Sequence, residues 1–173
     1  MRYIRGVKKF SRRQLLALSA ALATAGAVGT VGSWWDRATF EGYRALSLEE
    51  ALFLDALAEA AFPSGGDPAL GGGEAGVSSY VDGILVAMEP TQSKLLRLSL
   101  HALDASTLPT HGSRFRKLPP EEAHAVFLGW IGSDIVELRS AVTSVYLFVG
   151  MAYTSHPLIS ERLQGMFRCG FGR

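Results

Sequence analysis

The sequence predicts an all-α domain, an irregular bundle of five to six short helices preceded by an N-terminal signal helix. Three observations carry that prediction. Apolar residues recur at three- and four-residue spacing in several separate stretches. Pro and Gly clusters punctuate the chain between them. No stretch alternates apolar and polar residues with the period of two that a half-buried strand requires.

The chain opens with Arg2, Arg5, Lys8, Lys9, Arg12 and Arg13 and has no acidic residue before position 14. An uncharged, weakly apolar run follows over residues 15–35. A basic start, an apolar middle and small-residue cut sites such as Ala23-Thr24-Ala25 and Ala25-Gly26-Ala27 read as an export signal. Ser11-Arg12-Arg13-Gln14-Leu15-Leu16 matches the twin-arginine pattern, with Leu15-Leu16-Ala17 where the consensus has Phe-Leu-Lys. Arg12, Arg13, Leu15 and Leu16 are its recognition residues. Retention as a membrane anchor stands beside removal, because the run has roughly the ~20 residues a spanning helix needs. Trp34-Trp35 would then sit at the far interface. Gly26, Gly29, Gly32, Thr24, Thr30 and Ser33 lower its apolarity and favour removal. The expected organisation is a signal over 1–35, a linker over 36–46 and a helical domain over 47–173, located in the periplasm.

Ser47-Leu48-Glu49-Glu50 reads as a capping box that opens the first helix, and Pro63 ends it. Ala51, Leu54, Ala58, Ala61 and Phe62 form one stripe, flanked by Leu48, Leu52, Phe53 and Leu57. More than half of the circumference is apolar, which predicts packing on two sides. The stretch 63–76 is a long loop whose glycines are expected to serve tight turns. A phosphate cradle at Gly71-Gly72-Gly73 is disfavoured, since no strand precedes it and no Gly-Lys-Ser/Thr follows. A helix over 77–88 places Val81, Ile84, Leu85 and Met88 on one face. Thr91 is the expected cap of the next helix, which turns Leu96, Leu100 and Leu103 inward and Lys94, Arg97, His101 and Asp104 outward. Pro109 and Gly112 break the chain. Leu118-Pro119-Pro120-Glu121-Glu122 starts a helix carrying Ala123, Val126, Phe127 and Trp130. The last long helix begins near Ser133-Asp134, with Ile135, Leu138, Val142, Val145 and Val149 as its stripe. Residues 145–152 are apolar all round, so that end is buried in this domain or against a partner.

Composition excludes several function classes. Six of the 17 Lys and Arg lie in the first 13 residues, so the remainder is mildly acidic against 16 Asp and Glu. That sign, without a basic stripe interleaved with aromatics, speaks against nucleic acid. Cys169 is the only cysteine, so the chain has no internal disulfide and no Cys-x-x-Cys-His or iron–sulfur ligand set. Glu121-x-x-His124 is a single di-iron-type pair where such a site needs two. The reading is a chain with no catalytic, cofactor-binding or metal-binding residue of its own. Arg139, Thr143 and Tyr146 follow one another at i, i+4 and i+7 along the edge of the last stripe. With Phe148 and Tyr153 they are candidate partner-binding residues, of types enriched in interface hot spots. A solvated helix edge is the competing reading.

Leu46-Ser47-Leu48-Glu49-Glu50, the segment from Leu54-Asp55-Ala56 to Ala61-Phe62-Pro63, Glu74-Ala75-Gly76-Val77-Ser78-Ser79-Tyr80-Val81-Asp82 and Phe115-Arg116-Lys117-Leu118-Pro119-Pro120-Glu121-Glu122 follow a twin-arginine signal in that order. This arrangement resembles the gluconate 2-dehydrogenase subunit 3 family, the small gamma-type subunits of periplasmic flavin-dependent sugar and polyol dehydrogenases. The resemblance implies a non-catalytic subunit. In such complexes a large subunit similar to glucose–methanol–choline (GMC-type) oxidoreductases holds FAD, and a multihaem cytochrome c subunit often takes the electrons. The small subunit carries the signal read by the twin-arginine translocase and is associated with export and assembly of the large one. The alternative is a stand-alone membrane-anchored helical module that binds a small ligand. Replacing Arg12 and Arg13 together by Lys is expected to stop export without harming the fold, since two ammonium groups do not reproduce a paired guanidinium. Periplasmic yield of the double variant, compared with the parent, measures it.

Overall fold

Ser47 and Glu50 open the first helix as a reciprocal capping box. The Glu50 amide donates to the Ser47 hydroxyl at 3.3 Å, and the Ser47 amide donates to the Glu50 carboxylate at 2.7 Å. The computed structural model describes residues 42–166. Arg12, Arg13, Leu15 and Leu16 of the signal lie outside them, as does Cys169. Six helices follow in order: α1 Leu48–Ala61, α2 Val77–Ala87, α3 Pro90–Ala105, α4 Pro120–Ile131, α5 Val136–Ser155 and α6 Pro157–Met166. Single turns at Gly72–Glu74, Leu108–His111 and Phe115–Lys117 join them. No strand occurs among the described residues, and the fold is all-α as the periodicity requires.

α1 is the axis of the bundle. It packs against α2, α3, α4, α5 and the turns at Gly72–Glu74 and Phe115–Lys117. Phe53, Leu54, Leu57 and Ala58 are all but completely buried, and only Leu48 and Leu52 on this helix are exposed. The broad apolar surface of α1 is therefore closed over by the chain's own helices. Aromatic rings fill the space on both flanks. Phe115 lies edge-on to Phe53 at 5.6 Å and stacks on Trp130 at 4.7 Å. Phe62 stacks on Tyr153 at 4.1 Å.

α3 departs from the sequence expectation. Leu100 and Leu103 face inward as predicted, but Arg97, His101 and Asp104 do so too, while Leu95 and Leu98 are exposed. The reason is a buried acid on the neighbouring helix. Glu50 is 1% exposed, and its carboxylate receives Arg97 Nε at 2.8 Å and His101 Nε2 at 3.1 Å. Burial pushes the Glu50 carboxyl up. Hydrogen bonds from His101, Arg97 and the Ser47 amide, with the charge of Arg97, outweigh it and hold the group at about 2. One turn further along α3, buried Asp104 accepts from Arg114 at 3.2 Å, from Arg116 Nη1 at 2.9 Å and from the Arg116 amide at 3.1 Å. Arg116 also reaches the Glu49 carboxylate at 3.3 Å. The start of α3 differs as well. Its cap is Glu89, which accepts from the amides of Thr91 and Gln92, with Pro90 in the first turn; Thr91 lies inside the helix.

Two more carboxylates hold loops against helices. Asp82 on α2 accepts from the consecutive amides of Arg44, Ala45 and Leu46, at 2.8 to 3.1 Å. Burial alone would push Asp82 up, but these three amides and the Arg44 charge bring its carboxyl below the ordinary range. Glu59 on α1 accepts from the amides of Ser64 at 2.9 Å and Gly73 at 3.2 Å, tying both ends of the long loop to one side chain. Between them, the Gly72 amide donates to the Phe62 carbonyl at 2.8 Å. Gly71, Gly72 and Gly73 have no positive φ, so tight turning is not their role. A Cβ on Gly72 would overlap the Ala58 carbonyl of α1, and one on Gly71 would overlap the Glu59 carboxylate. These glycines let one backbone lie directly on another.

Two outcomes follow. Gly72→Ala is expected to lower unfolding free energy by roughly 1–3 kcal/mol, because the obstacle is main chain that must shift; urea unfolding of the two proteins compares them. For Glu50 the folded carboxyl titrates at about 2 against an ordinary 4.5, so its stabilisation is complete above about pH 5 and is lost as pH falls toward 2. That depression corresponds to about 3 kcal/mol at most. Stability measured against pH should fall less steeply over this window in Glu50→Gln than in the parent, from a lower starting value.

Candidate partner interface

Most polar side chains inside the described domain join its own elements; among the described residues, Asp55 Oδ1 and His156 Nδ1 are buried without a hydrogen-bond partner. Glu50, Asp82 and Asp104 hold neighbouring segments as described. The Tyr43 and Ser78 hydroxyls are 2.9 Å apart. Asp55, facing Ser78 from α1, is raised by burial, against the opposing hydrogen bonds of the Ser78 hydroxyl and amide. His124 lies with Nδ1 2.7 Å from the Ala60 carbonyl, so it bridges α4 to α1 while Glu121 and Glu122 are exposed. The Glu121-x-x-His124 pair thus does not converge on one point. Among the described residues no group of three or more His, Cys, Asp or Glu is placed to hold a metal ion.

The five candidate partner residues on and beside α5 do not form one surface. Arg139 is exposed and donates to the Ser133 carbonyl at 2.7 Å, closing the entry to the helix. Thr143 is exposed. Tyr146 is half-buried between Phe62 and Phe127, at ring distances of 5.9 and 5.4 Å. Phe148 is half-buried against the core. Tyr153 is buried, and its hydroxyl donates to the Leu70 carbonyl at 3.0 Å; burial and then the nearby Glu59 charge push its phenol up. Tyr146 and Tyr153 are seven residues apart and so share the inward stripe of Val142, Val145 and Val149.

The residues that α5 presents outward are its neighbours in sequence. Leu147 is 61% exposed, Met151 51% and Val136 57%. Around them lie exposed Ser140, Thr143, Ser144, Thr154 and Ser155. No Asp, Glu, Lys or Arg occurs from residue 140 to residue 160. Three of the hydroxyls bond back to their own helix: Ser144 to the Ser140 carbonyl, Thr154 to that of Gly150 and Ser155 to that of Ala152, each at 2.8 Å. The sequence signal for this face was the uncharged run itself, of which residues 145–152 are expected to be buried in this domain or against a partner.

A model of the gluconate 2-dehydrogenase subunit 3 family matches residues 48–146, more than half of the 173 residues. The chain belongs to that family. The matched span begins with the first residue of α1 and includes Glu50, Asp82, Arg97, Asp104 and Arg116, the polar framework of this subunit 3 fold. It ends within α5, so Leu147 and Met151 lie just past it. No curated protein and no solved structure matches the chain. Among the described residues of this family member, no single helix is long and apolar enough to cross a membrane. α4 and α5 together reach that length and composition but are bent by 119°, and Phe127, Trp130, Val142, Val145 and Val149 are already buried in the domain core.

Proposed function

We propose that this chain is the non-catalytic small subunit of a periplasmic FAD-dependent dehydrogenase complex. It carries the twin-arginine signal and supports export, assembly and stability of a large GMC-type catalytic subunit. The observation that carries the reading is the family match over residues 48–146, since the matched family is that of a dehydrogenase subunit. Two features agree with it. The buried acids Glu50 and Asp104 and their basic partners are tied up in holding elements of the domain together, which suits a scaffold. The basic, twin-arginine start supplies an address that exports folded cargo, so a partner without its own signal can travel with this chain. FAD belongs to the large subunit in this reading, and haem, where a cytochrome c subunit is present, to a third.

The test is co-expression with the candidate large subunit, purification from the periplasm through a tag on the small chain, and a visible spectrum with a dehydrogenase assay. Flavin absorption and activity are expected only when the large subunit is present. The isolated small chain is expected to show neither. A stoichiometric flavin, haem or iron–sulfur spectrum on the isolated chain would overturn the reading.

A further inference from the structure

We propose that the outward face of α5, centred on Leu147 and Met151, is where the catalytic subunit of the complex docks. The inference rests on the subunit reading above and adds the surface. At 100° per residue, Val136, Leu147 and Met151 fall within about 60° of one another on the helix. They form one exposed apolar strip on the side opposite the buried Val142, Val145 and Val149.

Two features mark this strip as built to be covered. From Ser140 to Ser155 it is free of charge, with Glu137 and Arg139 exposed only at its Val136 end, whereas residues 42–166 as a whole contain 14 Asp and Glu against 8 Lys and Arg; depletion of charge is what distinguishes the core of a protein interface from the surrounding surface. Three of its five exposed hydroxyls, those of Ser144, Thr154 and Ser155, already donate to carbonyls of their own helix. Covering them strands no donor, so the usual cost of burying a hydroxyl is absent. Other exposed apolar pairs sit beside charge: Leu95 and Leu98 on α3 lie beside Lys94, and Leu48 and Leu52 on α1 beside Glu49.

Size and charge select the occupant. α5 has 20 residues and so is about 30 Å long; a strip about 10 Å wide along it offers ~300 Å². Two copies meeting through this strip alone would bury about 600 Å², within the range of crystal-packing contacts and well short of a stable dimer. They would also bring two acidic domains together. A larger partner can cover the strip as the apolar centre of a footprint that continues over flanking surface. The partner surface that fits is uncharged and apolar at its middle, and the family names a chain that has partner subunits.

The test uses the signal-bearing chain co-expressed with the large subunit. The double variant Leu147→Asp/Met151→Asp is compared with Leu95→Asp/Leu98→Asp and with the parent. Both pairs are exposed, so the melting temperature of each variant chain should stay close to that of the parent. The expected result is at least a tenfold loss of co-purified large subunit for the α5 variant and parental recovery for the α3 variant. Should the α5 variant fail to fold, a photo-crosslinker on Leu147→Cys in a Cys169→Ser background replaces it, and a crosslink to the large subunit is expected. Parental recovery of the complex by the folded α5 variant, or a crosslinker that joins only two copies of this chain or lipid, would overturn the assignment of this face while leaving the subunit reading intact. Failure of the parent itself to co-purify with the large subunit would overturn the subunit reading, and this inference with it.

Discussion

The buried carboxylate of Glu50 is the constraint from which much of the arrangement follows. An acid with 1% of its surface exposed loses several kcal/mol of hydration and is tolerated only where its oxygens are fully occupied. Here the Ser47 amide, Arg97 and His101 occupy them. Arg97 and His101 are one turn apart, so meeting Glu50 sets the rotation of α3 about its own axis. The same rotation brings Asp104 inward, and Asp104 in turn draws in Arg114 and Arg116. Phe115 lies between those two arginines and is thereby set between Phe53 and Trp130. Leu95 and Leu98 become exposed as a consequence, because a helix that turns its polar line inward must turn something else out.

The loops obey a related rule. Stretches without helical hydrogen bonds need partners for their amides, and acids on α1 and α2 supply them. Asp82 collects three consecutive amides before α1, and Glu59 collects two from opposite ends of the long loop. Gly72 then allows that loop to lie against the α1 main chain with no side chain between. Four carboxylates, Glu50, Glu59, Asp82 and Asp104, thus join segments that are distant in sequence. Three of them are buried on the apolar side of a helix, where periodicity alone would place a hydrocarbon.

This internal use of polar groups bears on function. The buried acids Glu50 and Asp104 are engaged with guanidinium groups of the same chain, so these charges are spent inside the domain. Its outward chemistry is left to an acidic surface interrupted by the uncharged outer face of α5. That division suits a subunit whose task is to hold a partner.

Much of the fold was legible from the sequence. The capping box at Ser47 and Glu50, the breaks at Pro63, Pro109 and Gly112, and the stripe Val142, Val145 and Val149 depend on residues close in the chain, so spacing and local hydrogen bonding suffice to read them. The family resemblance was legible for the same reason, since its motifs are short and local. The facing of Arg97, His101 and Asp104 was not, because charge on a helix ordinarily means solvent unless an opposite charge waits across the interface. That partner lies 47 residues away from Arg97. Nor did spacing separate Tyr146 and Tyr153, which join the core, from Leu147 and Met151, which are exposed: where a helix is apolar all round, only its packed neighbours decide which side is inside. The sequence by itself determined that the chain is helical, where its main helices lie apart from the starts of α3 and α5, and which family it joins. Tertiary packing alone decided which polar groups are buried and which apolar ones stay exposed, because both depend on residues brought together from distant parts of the chain.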